Sequence, residues 1–134
     1  MISVSRARAL RDAGLRWAPA AGDAFRIDGP EFDAETFTVS DMTIEMHEFD
    51  TGTILGFNGT TEWALDSVAL EDALWLPRED QLRERLGNTF RALRRRPDGY
   101  RVEASISGSV RSFDAADPAD AYAQALLMLI AAAG

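Results

Sequence analysis

Thr43-Ile44-Glu45-Met46-His47-Glu48-Phe49 alternates apolar Ile44 and Met46 with polar Glu45 and His47. Successive side chains of a strand point to opposite faces, so this period of two predicts a half-buried β-strand. Asp50-Thr51-Gly52 follows as a short turn with glycine at its left-handed position, and Thr53-Ile54-Leu55-Gly56-Phe57 returns as the partner strand. A hairpin in the middle of the chain makes this a sheet protein first. Working outward, Asn58-Gly59-Thr60-Thr61-Glu62 is a second turn cluster, after which Trp63-Ala64-Leu65 begins another strand. On the other side, Phe25–Ile27 and Phe37–Val39 read as short strands, and Trp17 to Pro30 is irregular.

Helical periodicity surrounds this sheet. Ser3 or Ser5 caps a first helix running to about Ala13, with Gly14 at the left-handed C′ position and Leu15 packing back on Leu10. Ala73-Leu74-Trp75-Leu76 is a short apolar run, and Pro77 then opens a second helix with Glu79 and Asp80 at its positive end. Leu82, Leu86, Phe90 and Leu93 fall on one face at helical spacing, with Gly87 allowing a close approach. This helix is expected to continue to Arg94, Arg95 and Arg96, which oppose its negative end, and to stop at Pro97-Asp98-Gly99. Tyr100–Ile106 and Val110–Phe113 form a hairpin around Ser107-Gly108-Ser109. Asp117-Pro118 caps a final helix, and its apolar run Leu126 to Ile130 covers more than one helix face. Such a helix is either buried on most sides or closes a homodimer. The expected architecture is α+β, an antiparallel sheet with N-terminal, middle and C-terminal helices packed on it, in one globular domain spanning 1–134.

Composition restricts the chemistry. The chain has no lysine, no cysteine and one histidine, His47. A P-loop ammonium, a Schiff base, a thiolate nucleophile, a disulfide and a zinc-thiolate site are therefore excluded, as is the paired-histidine zinc motif of metalloproteases. Carboxylate, hydroxyl and arginine chemistry remains. No Asp-x-Asp-x-Asp-Gly calcium loop and no Gly-x-Ser-x-Gly elbow is present, so no catalytic set, metal site or cofactor is expected. The start of the sequence does not read as a secretory signal, and the longest apolar run, Ala125 to Ala133, is about half of the roughly 20 residues that span a bilayer. The expectation is a cytoplasmic protein with no membrane association.

Net charge is −8, which disfavours nucleic acid as a partner. The charge is unevenly spread. Gly22 to Trp75 holds 13 acids against the single Arg26, whereas Leu76 to Arg111 holds nine arginines against five acids. Internal complementarity is one reading, and a polar recognition surface is the other. For the second, the turn that presents Glu62 beside Trp63, with Asp66 three residues beyond, combines carboxylates with an indole suited to partner contact. Arg78 and Asp80, at the exposed start of the second helix, extend that candidate surface. The leading expectation is a non-enzymatic accessory protein that binds a protein partner. The alternative is a small-ligand binder or carboxylate enzyme, with a pocket formed near His47, Glu45 and Asp66.

Several segments also carry a resemblance: Ala13-Gly14-Leu15-Arg16-Trp17, Ser40-Asp41-Met42-Thr43, Gly56-Phe57-Asn58-Gly59-Thr60-Thr61-Glu62-Trp63-Ala64-Leu65-Asp66-Ser67, and Trp75-Leu76-Pro77-Arg78-Glu79-Asp80-Gln81-Leu82. With Gly22-Asp23-x-Phe25 and the terminal Ala121–Leu127 stretch, the chain resembles, over nearly its whole length, a family of small uncharacterised bacterial proteins. Members are sometimes labelled pilus assembly proteins. The resemblance implies a compact bacterial domain and supplies no catalytic residues. An ATPase role under that label would need a Gly-rich loop and a lysine on the phosphates, and the chain has neither.

Overall fold

The computed structural model describes residues 1–27, 35–39, 43–49, 52–58, 67–69 and 72–134, the strands at 43–49, 52–58 and 67–69 through their backbone. The chain divides into two compact units, residues 17–75 and residues 1–16 with 76–134. The architecture is α+β, with three helices and three three-stranded sheets among the described residues.

In the unit 17–75, β1 (Ala24–Ile27) pairs antiparallel with β2 (Thr36–Thr38) from Ala24↔Thr38 to Arg26↔Thr36. β6 (Ala73–Leu76), whose last residue is counted with the other unit, lies on the other side of β1, and all four of its residues are buried. The predicted hairpin is present as β3 (Thr43–Phe49) and β4 (Gly52–Asn58), in register from Thr43↔Asn58 to Phe49↔Gly52. β5 (Ser67–Ala69) adds to β4 through Leu55↔Val68. The strand expected at Trp63–Leu65 lies outside the described residues, as do 50–51 of the turn expected at Asp50-Thr51-Gly52 and 59–62 of the one expected at 58–62, while Gly52 and Asn58 of those turns are the end residues of β4. Phe25, Ile27, Val39 and Ala73 form a buried cluster on which Trp17 and Phe37 pack. The Phe25 ring lies 5.3 Å from Trp17 and 5.6 Å from Phe37, within the range of favourable aromatic pairs.

The other unit begins with α1 (Val4–Asp12). The Ser3 hydroxyl accepts from the Arg6 N–H at 3.3 Å. At the other end Gly14 has φ +108°, Leu15 N–H bonds to the Leu10 carbonyl, and Gly14 N–H bonds to that of Arg11. This is the expected Schellman closure, which requires a residue free to adopt the left-handed region. α3 (Pro118–Ala133) is capped by the Asp117 carboxylate, which accepts from Ala119 N–H at 2.8 Å.

The middle helix is shorter than its periodicity predicts. α2 covers only Glu79–Leu86, a 3-10 turn follows at Gly87–Thr89, and Phe90–Arg96 is a strand, β7. Gly87 takes φ +56°, and a Cβ there would meet nothing within 4 Å, so this glycine ends the helix and does not serve a close approach. Arg94, Arg95 and Arg96 therefore belong to a sheet and not to a helix terminus. β7 turns through Pro97-Asp98 into β8 (Gly99–Ile106), which turns through Ser107-Gly108 into β9 (Ser109–Ala115). Ser107 and Gly108 have φ of +54° and +83°, the paired positive values that suit a two-residue hairpin turn to the strand twist.

α3 packs on β8 and β9 and meets α1 and α2. Its first half is hidden almost all round, with Ala119, Ala121, Tyr122, Ala123, Ala125 and Leu126 buried. Four alanines in that stripe keep the helix thin enough for close packing of its neighbours. The second half emerges: Leu127, Leu129 and Ile130 are half-buried and Met128 is exposed. Leu82, Leu86, Val102, Ala104 and Ile106 complete the buried set from α2 and β8.

Candidate functional site

β8 is the central strand of a charged sheet face. Val102, Ala104 and Ile106 are buried on its α3 side, so strand alternation puts Arg101, Glu103 and Ser105 on the other face. Register then sets Arg94 of β7 and Asp114 of β9 on either side of Arg101, and Ala92 and Ser112 on either side of Glu103. Arg101 donates from Nε and Nη2 to the two Asp114 oxygens at 2.7 and 3.0 Å, a bidentate fork. Arg94 donates to Glu103 one rung away. The Arg101 hydrogen bond and charge, with a smaller contribution from Arg96, hold the Asp114 carboxyl below its usual range. A hollow of about 400 Å³ beside the β7–β8 turn is lined by Arg96, Asp98, Tyr100 and Asp114 among others.

The backbone that carries this face is tightly constrained at Gly99. Its φ is +151°, and an added Cβ would meet the Ala115 carbonyl oxygen and lie 2.8 Å from Ala116 Cα. Behind the sheet, Tyr122 of α3 stacks on Phe90 at 5.7 Å, and the Arg83 guanidinium sits 4.2 Å above the Phe90 ring. Burial pushes the Tyr122 phenol above its usual value, while Arg83 opposes the shift.

Of the residues predicted for a binding surface, the structure brings Arg78 and Asp80 together. Both are exposed, and Arg78 Nε donates to Asp80 Oδ1 at 3.0 Å, which lowers the Asp80 carboxyl below its usual value. Gln81 reaches back to accept the Arg78 N–H at 2.9 Å, so the pair sits on a capped helix start. Glu62, Trp63 and Asp66 lie outside the described residues, and His47 is placed through its backbone alone, opposite Ile54. Sequence reasoning gave no role to Asp23, which is 2% exposed. Its Oδ2 accepts from the Trp17 indole at 2.9 Å and from Ala20 N–H at 3.0 Å, fixing the loop that leads into β1. The signal available for it was a buried-type neighbourhood, Asp23-Ala24-Phe25, with an indole six residues earlier.

Among the described residues no cluster of histidine and carboxylate groups has metal-holding geometry, and no helix is long and apolar enough to cross a membrane. Set against known proteins, the chain matches no family model, no curated protein and no solved structure.

Proposed function

We propose that the chain is a non-enzymatic accessory protein of a bacterial cytoplasm that recognises a protein partner through charge. One observation carries this reading: the compact units are oppositely charged. Residues 1–16 with 76–134 hold 13 arginines against nine acids, a net of +4, whereas residues 17–75 hold 13 acids against one arginine, a net of −12. Complementary potentials of this kind steer encounter and reject wrong partners, and they need no nucleophile or general base. On the acidic unit, Glu62, Trp63 and Asp66 are the partner-facing residues we assign, with the indole supplying apolar area beside the carboxylates.

Native mass spectrometry of tagged protein, expressed at low level in its own host, tests the reading. A co-purifying polypeptide of defined stoichiometry that dissociates as salt rises is expected, and the double variant Glu62→Gln with Trp63→Ala should lose it. A bare chain under every condition, or a bound metabolite in place of a polypeptide, overturns the proposal. The emerging half of α3 favours a second reading, in which Met128 and its neighbours close a homodimer. In that case Met128→Glu converts a two-chain mass into a one-chain mass.

A further inference from the structure

The two outer strands of the β7-β8-β9 sheet differ in how they are covered. β9 lies against α3, and Gln124 of that helix donates to the Asp114 carbonyl at 3.0 Å, so a side chain already occupies its backbone. β7 ends the sheet on the other side, with no further strand beside it among the described residues. Leu93 marks this edge as incomplete. Its register partner is Val102, which is fully buried on the α3 side, yet Leu93 on the same face is 39% exposed. An apolar side chain on the core face of an edge strand becomes covered when another strand is added. Charge decides which strand can add. Arg91, Arg95 and Arg96 are exposed and form no ion pair among the described residues.

We infer that β7 receives an extended acidic polypeptide segment as a fourth strand, an inference that rests on the protein-binding reading above. Main-chain hydrogen bonds to the β7 edge would give affinity, and alternate side chains would give specificity. The period of two sets the recognised pattern: an apolar residue beside Leu93, a carboxylate beside Arg95 on the same face, and a carboxylate beside Arg96 on the opposite face. Guanidinium forks match carboxylates in two-point geometry, which suits glutamate and aspartate side chains projecting from a strand. The competing role for these arginines is protection, since charged edges also block unwanted pairing.

The test uses the full chain and a fluorescent, end-capped peptide, Glu-Glu-Glu-Val-Glu-Glu-Glu, read by anisotropy. Binding should weaken with salt and fall roughly tenfold in the variant Arg95→Glu with Arg96→Glu, whose exposed positions leave folding intact by circular dichroism. Two further peptides, N-methylated on the odd or the even amides, report strand addition directly. Only one set of amides faces β7, so one peptide should lose binding and the other keep it. Equal binding of both, tighter binding of a single-stranded oligonucleotide, or no binding at all overturns the inference. Capture of the host partner by the Arg95→Glu, Arg96→Glu variant would remove the β7 site while leaving the protein-binding reading in place. Absence of capture by the unaltered chain removes that reading itself.

Discussion

The two compact units satisfy their polar groups in different ways. In residues 1–16 with 76–134, each helix start has a partner two or three residues away: Ser3 for Arg6 N–H, Gln81 for Arg78 N–H and Asp117 for Ala119 N–H. The core above those ends is mostly aliphatic, with Phe113 and Tyr122 as its buried aromatic residues, and the charges pair on the surface, as in Arg101 with Asp114. In residues 17–75 the described cluster is built on Trp17, Phe25 and Phe37, and a carboxylate is buried outright. Asp23 serves a loop through an indole six residues away, a contact that exists only once the aromatic cluster has formed. One unit uses local capping that sequence spacing reveals; the other adds a buried acid that joins a local backbone N–H to an indole supplied by packing.

Substitutions sharpen this contrast, beginning with the largest effect. Leu82→Ala removes a side chain with 0% exposure and should cost about 2–5 kcal/mol in denaturant unfolding. The loss of hydrogen-exchange protection is expected on amides of 76–134; protection unchanged there would contradict the assigned core. Asp23→Ala leaves the Trp17 indole and Ala20 N–H without this acceptor, for an expected loss of about 1–3 kcal/mol. Asp23→Asn retains an oxygen acceptor and should recover part of that loss. If both variants melt like the unaltered chain, the buried-acid account of the 17–75 unit fails. Asp117→Ala removes one cap and should cost about 1 kcal/mol, with the change read as fraying at the start of α3.

The smallest effect is a pH dependence. Asp114 has a folded-state value below the ordinary carboxylate range because the Arg101 hydrogen bond and charge stabilise the carboxylate. The stabilisation is therefore present above the ordinary carboxylate range and is lost as pH falls through the lower folded value. Because the pair is solvent-exposed, Asp114→Asn should flatten the acid limb of a stability-pH curve only slightly, and raised salt should erase the difference. A difference that persists at high salt would show that the pair is shielded from solvent.

The same contrast explains what could be read in advance. The Ser3 cap, the Gly14 closure, the β3–β4 hairpin and the Asp117-Pro118 helix start are all local, so their spacing was sufficient. The middle helix overran because Phe90 and Leu93 continue the spacing of Leu82 and Leu86, and arginine itself favours helix. Pairing of β7 with β8 overrode that propensity, and the deciding signal was Gly87-Asn88-Thr89, read as a helix interior and not as its end. Arg78 and Asp80 were legible as an exposed helix start because charge at a capped terminus is a local pattern. Asp23 was not, because in sequence it is one of 13 acids in the stretch from Gly22 to Trp75. The place of β7 at the end of its sheet among the described residues was equally hidden, since it depends on strand order.

The bond from Ser3 N–H to the Asp120 carboxylate joins residues 117 apart, with the whole 17–75 unit threaded between them. During synthesis, Leu10 and the rest of α1 leave the ribosome long before α3 exists to cover them. The hairpins of β7, β8 and β9, closed by two-residue turns, can assemble as soon as they emerge. The order of birth thus runs against the order of packing: α1 is made before α3 yet packs on it only once α3 has appeared, and the intervening unit must emerge first.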